Sequence, residues 1–377
     1  MREMNVLVTA ASRRVVLIQG FVNALRRLGM RGHVITTDMS PMSPGLYFSD
    51  RHYIVPLTTD RRYIPIIKSI CFKERIRLLI PTIDDELPLF GAHAEKFLAT
   101  GVRVAVSSAQ TNIICNDKYL TARFLLERSI PAAKTWLPAE LDSAKLTFPL
   151  FLKPRSGRGS VGAHLIADHN QLQFFLNYVP DPVVQEFLPG REFTIDLLAD
   201  FNGRVISVVP RERLVVRSGV SDRGRTWNHK GMIDLAIRAA EALEIRGPAN
   251  IQVKLQNNHA TIFEVNPRFA GGIPLTLAAG ADFPAWLIEM CCGRKVRSFV
   301  GKFFDGLMMA CYESAVFMTD ESLREGGRES GRARKNSSAQ IQLQGRLSPL
   351  PESTQAPLEA ISGAVGQGQR RVRVNRD

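Results

Sequence analysis

The chain is poor in cysteine and spaces what it has without pattern. Cys71, Cys115, Cys291, Cys292 and Cys311 are an odd number, with no Cys-x-x-Cys among them. That excludes a disulfide framework and a cysteine zinc site as organising principles, and makes the reducing cytoplasm the expected compartment. No apolar run reaches membrane-spanning length. The first residues pass straight into a strand-like pattern, so no signal peptide is expected. The seven histidines form no His-x-x-x-His pair, which argues against a zinc hydrolase. A phosphate loop of the Gly-x-x-x-x-Gly-Lys-Ser/Thr kind is missing. Behind the first predicted strand, where a dinucleotide fold would need it, Thr9-Ala-Ala-Ser-Arg-Arg14 contains no Gly-x-Gly-x-x-Gly. A dehydrogenase is therefore rejected, although Asp38 ends the second predicted strand.

Acidic charge is also in short supply. The 377 residues carry a net charge of +13. Residues 321–377 hold ten Lys/Arg against six Asp/Glu, a net +4, and leave +9 on the body. The excess is spread along the chain and not gathered in one arm, so nucleic-acid binding is not expected. Anionic small molecules suit a basic cleft better.

Alternating strands and helices over residues 1–112 predict a parallel α/β, Rossmann-like unit. The strands are read at 4–10, 32–37, 77–80 and 102–106, the helices at 15–28, 63–75 and 86–100. A small α+β unit follows over 113–184, with a helix at 117–129, a strand at 147–153 and a glycine-rich segment behind it. Residues 185–318 read as an antiparallel-sheet unit. Its sheet is assigned strands at 183–187, 192–199, 205–210, 249–255 and 261–265, with a helix at 231–243. From 319 to 377 Arg, Gly, Ser, Gln and Pro dominate without periodicity, and a disordered tail is expected.

Four segments carry chemistry. In the strand Thr261–Val265, Glu264 and Asn266 project from one face. A carboxylate and an amide oxygen are hard ligands of the kind Mg²⁺ accepts, and Arg268 adds a fork for a phosphate or carboxylate. Lys153 ends a strand directly before Pro154-Arg-Ser-Gly-Arg-Gly-Ser-Val-Gly162. Gly157, Gly159 and Gly162, with Ser160 between them, can close backbone N–H groups on phosphate oxygens, and Lys153 supplies a mobile charge. The alternative there is a flexible surface hairpin. In Val183-Val-Gln-Glu-Phe-Leu-Pro-Gly-Arg-Glu192, residues Glu186, Phe187 and Leu188 reach a turn that can present backbone groups to an adenine edge. Glu192 can accept ribose hydroxyls. A charged surface hairpin is the competing reading. In Pro210-Arg-Glu-Arg-Leu-Val-Val-Arg217, residues Arg211, Arg213 and Arg217 alternate on one face, as a binding strand or simply an exposed basic one.

In order and spacing these segments resemble the ATP-grasp superfamily. The matching pieces are Asn116-Asp-Lys118, Lys153-Pro with its glycines, Gln185 to Glu192, Asn250-Ile-Gln252 and Glu264-Val-Asn-Pro-Arg268. The branch they are most similar to is that of the carbamoyl phosphate synthase large subunit, of carboxylate–amine ligase type. The resemblance implies an N-terminal pre-ATP-grasp subdomain, a small lid subdomain and a C-terminal antiparallel-sheet subdomain. It places Lys118 and Lys153 on the phosphates, Glu186 and Leu188 at adenine and Glu192 on ribose. It makes Gln252, Glu264 and Asn266 ligands of Mg²⁺ or Mn²⁺. It puts Arg211, Arg213 and Arg268 at the reaction centre, where guanidinium groups bind a carboxylate and neutralise a transferred phosphoryl group. Ser12, Arg13 and the turn Asp84-Asp85-Glu86 are candidates for the second substrate, or else structural caps.

The implied activity is ATP-dependent ligation of a small-molecule carboxylate to an amine. The alternatives are a subunit acting on bicarbonate or carbamate and an ATP-binding regulatory protein without turnover. A homodimer is one assembly the resemblance allows. Two departures from the branch stand out. Only one ATP-grasp unit is present, and the chain turns to low complexity after Gly306–Met309 where the branch usually continues.

Overall fold

The computed structural model describes residues 3–142, 145–157, 159, 161–217 and 219–319. Ser160 and the expected tail beyond Thr319 lie outside the described residues. Three sheets organise the rest.

The first is parallel. It comprises β1 (Asn5–Val8), β2 (Val34–Asp38), β3 (Arg51–Ile54), β4 (Ile76–Ile80) and β5 (Arg103–Val104), in the order β3-β2-β1-β4-β5. Helices α1 (Val15–Arg27), α2 (Tyr63–Lys73) and α3 (Leu87–Ala99) connect them. Strands β1 and β2 are buried along their whole length, as a sheet covered on both faces requires. The chain leaves β1 toward β2 and β3, then returns to its other side through β4. The crevice beyond the carboxyl ends of β1 and β4 is thus the topological switch point, where such sheets offer a ligand crevice.

Helix α4 (Ala109–Asn116) leads into α5 (Lys118–Glu127). Asp117 ends one and caps the other, accepting from the N–H groups of Tyr119 and Leu120. The second sheet is antiparallel, in the order β6-β9-β7-β8. Its strands are β6 (Thr135–Trp136), β7 (Leu150–Pro154), β8 (His164–Ile166) and β9 (Pro182–Glu186), with α6 (His169–Tyr178) before the last. The strand predicted at 183–187 therefore belongs here and not to the large sheet. Leu150 to Pro154 pairs with Glu186 back to Pro182, and the chain changes sheet at Pro189-Gly190.

The third sheet has the order β14-β13-β10-β11-β12-β15. Its strands are β10 (Arg191–Ala199), β11 (Val205–Arg217), β12 (Val220–Thr226), β13 (Gly247–Gln256), β14 (His259–Asn266) and β15 (Met308–Ala310). Strand β11 runs past the predicted end at 210 and carries all three arginines. Helix α7 (Lys230–Ala242) packs on β10, β11 and β14, and α8 (Ile273–Ala278) and α9 (Phe283–Cys291) meet α1.

Strict alternation gives this sheet two faces. Phe193, Ile195, Ile251, Val253 and Val265 are buried on the α7 side. The other face aligns Arg211, Thr194, Gln252 and Glu264 across four strands, and beside them Asp196, Asn250 and Asn266. Between Gln252 and Val253 the register with β14 slips by one residue, so Glu264 faces Gln252 while Ile262 faces Val253. Phe263 is the extra residue, turned into the polar side as bulges do. Among the described residues no helix is long and apolar enough to cross a membrane.

Gly190 tests the crossing between sheets. Its φ is +102°, and a Cβ would stand 2.4 Å from the Leu255 carbonyl oxygen. Gly190→Ala is expected to lower stability by at least about 1 kcal/mol through backbone strain, read from its midpoint in urea. An unchanged midpoint would show that the crossing can relax.

Candidate functional site

The polar face of the large sheet forms one wall of a cleft of about 930 Å³, its mouth included. The small sheet and the glycine segment form the other. From β7 come Phe151, Lys153 and Pro154; from the segment behind it, Ser156, Gly157 and Gly159; from β9 and its turn, Gln185, Glu186 and Leu188. Opposite stand Glu192, Arg213, Gln252, Lys254, Phe263 and Glu264, and Lys118 closes one end.

Lys153 is 8 % exposed, and its ammonium donates to Gln185 Oε1 at 2.8 Å. It also lies 5.6 Å from the centre of the Phe263 ring. Burial pushes its pKa down to about 8; Glu264 opposes that shift, Lys118 adds to it and Glu192 opposes it. Lys118 is likewise lowered by burial, against the pull of Glu264, Asp84 and Asp117. Its Nζ donates to the Gly157 carbonyl at 3.1 Å and its N–H to the Arg155 carbonyl at 3.0 Å. The two lysines thus share one end of the cleft, and among the described residues no carboxylate is in direct contact with either. A poorly compensated pair of cations, one buried and one half-buried, is a receptor for anions.

The remaining predicted residues divide. Gly157 and Gly159 line the cleft with φ of +113° and +70°. Gly162 sits against Pro154, where a Cβ would meet the ring at 3.0 Å, and is not on the cleft wall. Glu186 lines the wall while its carboxylate accepts from Lys134 N–H at 2.7 Å. Leu188 lines it too, whereas Phe187 turns away and stacks on Phe151 with ring centres 6.3 Å apart. Glu192 is held between Lys254 at 2.9 Å and Arg213 at 3.2 Å.

Glu264 Oε1 accepts from Asn266 Nδ2 at 2.8 Å and from Gln252 Nε2 at 3.4 Å. Gln252 Oε1 accepts from Arg213 at 2.9 Å. Among the described residues no three His, Cys, Asp or Glu side chains gather as a metal site. One carboxylate flanked by two amides fits a hard cation whose remaining ligands are phosphate oxygens, Mg²⁺ above all.

The three arginines expected at the reaction centre have separate surroundings. Arg213 lines the cleft, and its buried Nε has no hydrogen-bond partner among the described residues. Arg211 lies deeper, 1 % exposed, forked onto Asp196 at 2.7 and 3.0 Å. Thr276 also donates to Asp196. Arg268 reaches across to the parallel sheet and forks onto Asp84 at 3.0 and 2.7 Å. Arg217 is exposed, 3.7 Å from Asp222.

At the switch point Ser12 donates its N–H to Asp38 at 2.8 Å, and Arg13 is exposed. Glu86 is buried; burial pushes it up to about 7, against donors from Tyr63, Thr9 and Thr82. Sequence reasoning did not find Phe151, Phe263, Gln185 or Lys254. The alternation Asn250-Ile-Gln-Val-Lys254 carried the signal for Lys254, since i, i+2 and i+4 share a face.

With this geometry in hand, comparisons find two family profiles. "ATP-grasp in the biosynthetic pathway with Ter operon" matches residues 178–314. "PylC-like, N-terminal domain" matches 6–105. The chain is 25% identical over 274 residues to the carbamoyl phosphate synthase arginine-specific large chain of Bacillus subtilis, covering 67% of this chain and 26% of that one. A D-alanine–D-alanine ligase of Lacticaseibacillus casei is 26% identical over 174 residues, or 39% of this chain and 47% of that one. The chain thus spans about a quarter of the length of the carbamoyl phosphate synthase chains it matches. Among solved structures, L-amino acid ligase from Bacillus licheniformis superposes with TM-score 0.61 at 18% identity, covering 77% of this chain and 74% of that one. Biotin carboxylase from Campylobacter jejuni gives 0.63 at 14%, covering 78% and 72%. The shared fold is α/β with a parallel N-terminal sheet and antiparallel sheets behind it.

Lys153 yields a signed test. An exposed or unfolded lysine loses its proton near about 10.4, but in the folded chain Lys153 does so near about 8. Its burial cost is therefore felt below pH 8 and is relieved as pH rises between the two values. A bound diphosphate favours the charged form, so ADP binding above pH 8 should take up protons and weaken as pH rises. Calorimetry in buffers of different ionisation enthalpy reads the uptake. Lys153→Met should reduce it and weaken binding about tenfold or more, the worth of a charge-assisted hydrogen bond. Identical proton uptake in Lys153→Met would assign it to another group.

Proposed function

Since this chain belongs to the ATP-grasp superfamily, in its carboxylate–amine ligase branch, we propose that it activates a carboxylate with ATP and joins it to an amine. The observation that carries this reading is the cleft itself: two under-compensated lysines at one end, and a carboxylate flanked by amides facing them. In the proposal, Lys118 and Lys153 hold the phosphates under the segment of Gly157, Gly159, Ser160 and Gly162. Adenine lies between Phe151 and Phe263 against the backbone of Glu186 to Leu188, with ribose at Glu192. Gln252, Glu264 and Asn266 would hold Mg²⁺, which when bound neutralises phosphate charge. Arg213, whose Nε has no hydrogen-bond partner among the described residues, is the guanidinium that would face the transferred group. Arg211 and Arg268, already forked onto carboxylates, act by holding the wall.

The chemistry asks for position and charge neutralisation more than for a nucleophile of the protein. A carboxylate oxygen attacks the γ-phosphorus, ADP leaves, and an acyl phosphate forms. The amine nitrogen then attacks the acyl carbon and inorganic phosphate departs. A carboxylate is anionic and nucleophilic as it stands, so no general base is needed for the first step, as it would be for an alcohol. A second reading, phosphorylation of bicarbonate or carbamate, draws on the likeness to carbamoyl phosphate synthase large chains.

With the right carboxylate and no amine, hydroxylamine should intercept the acyl phosphate as a hydroxamate, in step with ADP release. Arg213→Ala should suppress both. Glu264→Ala should remove turnover while leaving the melting temperature in place. Bicarbonate-stimulated ADP release without hydroxamate would favour the second reading. Stoichiometric phosphorylation of an alcohol would replace the ligase by a kinase.

A further inference from the structure

Arg268 was expected to offer its fork to a ligand, yet all of its side chain is spent inside the protein. Nε and Nη2 grip the carboxylate of Asp84, at 3.0 Å to each oxygen and at 2.7 Å to Oδ2. Nη1 donates to the Phe269 carbonyl at 3.1 Å. Nη2 also reaches Asn266 Oδ1 at 3.3 Å. With its oxygen held there, Asn266 turns its Nδ2 onto Glu264 Oε1 at 2.8 Å. The backbone beneath is pinned as well, since Asn250 Nδ2 donates to the Arg268 carbonyl at 3.0 Å. Side chains of Asp84 and Arg268 are 9% and 12% exposed, so this is a nearly dry, two-pronged pair.

The two partners are 184 residues apart and belong to different sheets. Asp84 stands in the turn that follows β4, at the switch point of the parallel sheet. Two residues later Glu86 anchors that turn, accepting from Thr9 Oγ1 at 2.7 Å, Tyr63 OH at 2.5 Å and Thr82 N–H at 3.4 Å. The Glu86 anchor thus fixes the turn at the carboxyl ends of β1 and β4, the backbone of the turn leads to Asp84, and from Asp84 hydrogen bonds run through Arg268 to Asn266 and Glu264.

We propose that Asp84 is a positioning residue for the cation-binding pair Glu264 and Asn266, and that it sets their geometry from the parallel sheet through Arg268. The inference rests on the nucleotide reading given above. Without Asp84 the Arg268 guanidinium loses its counter-charge and must seek another acceptor. The side-chain acceptor already in reach of Nη2 is Asn266 Oδ1, at 3.3 Å, one of the oxygens a divalent cation needs. A residue that touches neither nucleotide nor metal would thus govern metal affinity, as partners one step removed from a metal commonly do.

The test is Mn²⁺ titration of the full chain at saturating ADP, followed by electron paramagnetic resonance. Asp84→Asn should bind Mn²⁺ about 10- to 100-fold more weakly than the parent. Its affinity for ADP in the presence of EDTA should not fall, a split that general loosening of the cleft would not produce. Equal Mn²⁺ affinity in parent and variant overturns the proposal and leaves the nucleotide reading standing. Equal losses of Mn²⁺ and of metal-free ADP affinity overturn it too, because the effect is then not directed at the cation. Failure of the parent chain to bind ADP at all overturns the nucleotide reading itself. Arg268→Lys decides the matter if Asp84→Asn does not fold. It keeps a charge for Asp84 but withdraws the planar fork from Asn266, and it should show the same selective loss; unchanged Mn²⁺ affinity there sinks the idea.

Discussion

Burying charge on one face of a sheet is costly unless each charge is compensated, and the polar face of the large sheet is built around that constraint. Arg211 with Asp196, and Arg268 with Asp84, are fully forked pairs. Replacing one member of such a pair leaves an uncompensated buried ion, at a cost of about 3–5 kcal/mol. Lys153 is treated differently. It is as buried as they are, but its direct partner is the neutral oxygen of Gln185, and its proton affinity falls accordingly. The degree of compensation thus sorts the lysines from the forked arginines. Arg211 and Arg268, gripped by carboxylates, do not line the cleft, whereas Lys118 and Lys153, which do, have neutral oxygens as their hydrogen-bond partners among the described residues.

The same sorting explains how much of the site was legible in the sequence. Alternation along Glu264-Val-Asn266 and Asn250-Ile-Gln252 places these residues on one face from spacing alone, and register then brings Gln252 opposite Glu264. The glycine segment behind Lys153 was equally readable, because a lysine at a strand end before three glycines has few structural explanations. Arginine was not. The sequence shows Arg211, Arg213 and Arg268 as equivalent forks, and what separates them is the partner each meets. Asp196 comes from the neighbouring strand and Asp84 from another sheet 184 residues away. Neither is visible in a local pattern.

Two features of the fold escaped for similar reasons. The strand at Pro182–Glu186 has the same composition as a strand of the large sheet, and only its pairing with Leu150–Pro154 assigns it to the small one. The turn at Gly190, where a side chain would strike Leu255, is the local sign that the chain changes sheets there. Phe263 faces the cleft because a bulge shifts it, whereas strict alternation from Glu264 would send it to the opposite face. The bulge gives β14 both an aromatic and a carboxylate on the cleft side, which a regular strand cannot present at adjacent positions.

The glycine segment shows how rigid and permissive parts are combined at one place. Its root is tied down. Asp117 caps α5 through Oδ1 and takes Arg155 on Oδ2 at 2.7 Å, and the Arg155 carbonyl receives the N–H of Lys118. One carboxylate therefore sets the start of the helix that carries Lys118 and the base of the segment that follows Lys153. The two lysines are aligned with each other before any anion arrives, so less ordering remains to be done when one binds. Beyond that root the backbone enters the left-handed region at Gly157 and Gly159, where a Cβ would meet nothing within 4 Å. Steric crowding does not demand glycine there; conformation does. A backbone that turns in this way at residues without side chains can bring N–H groups close to an anion, and Gly157 and Gly159 line the same cleft as the two lysines.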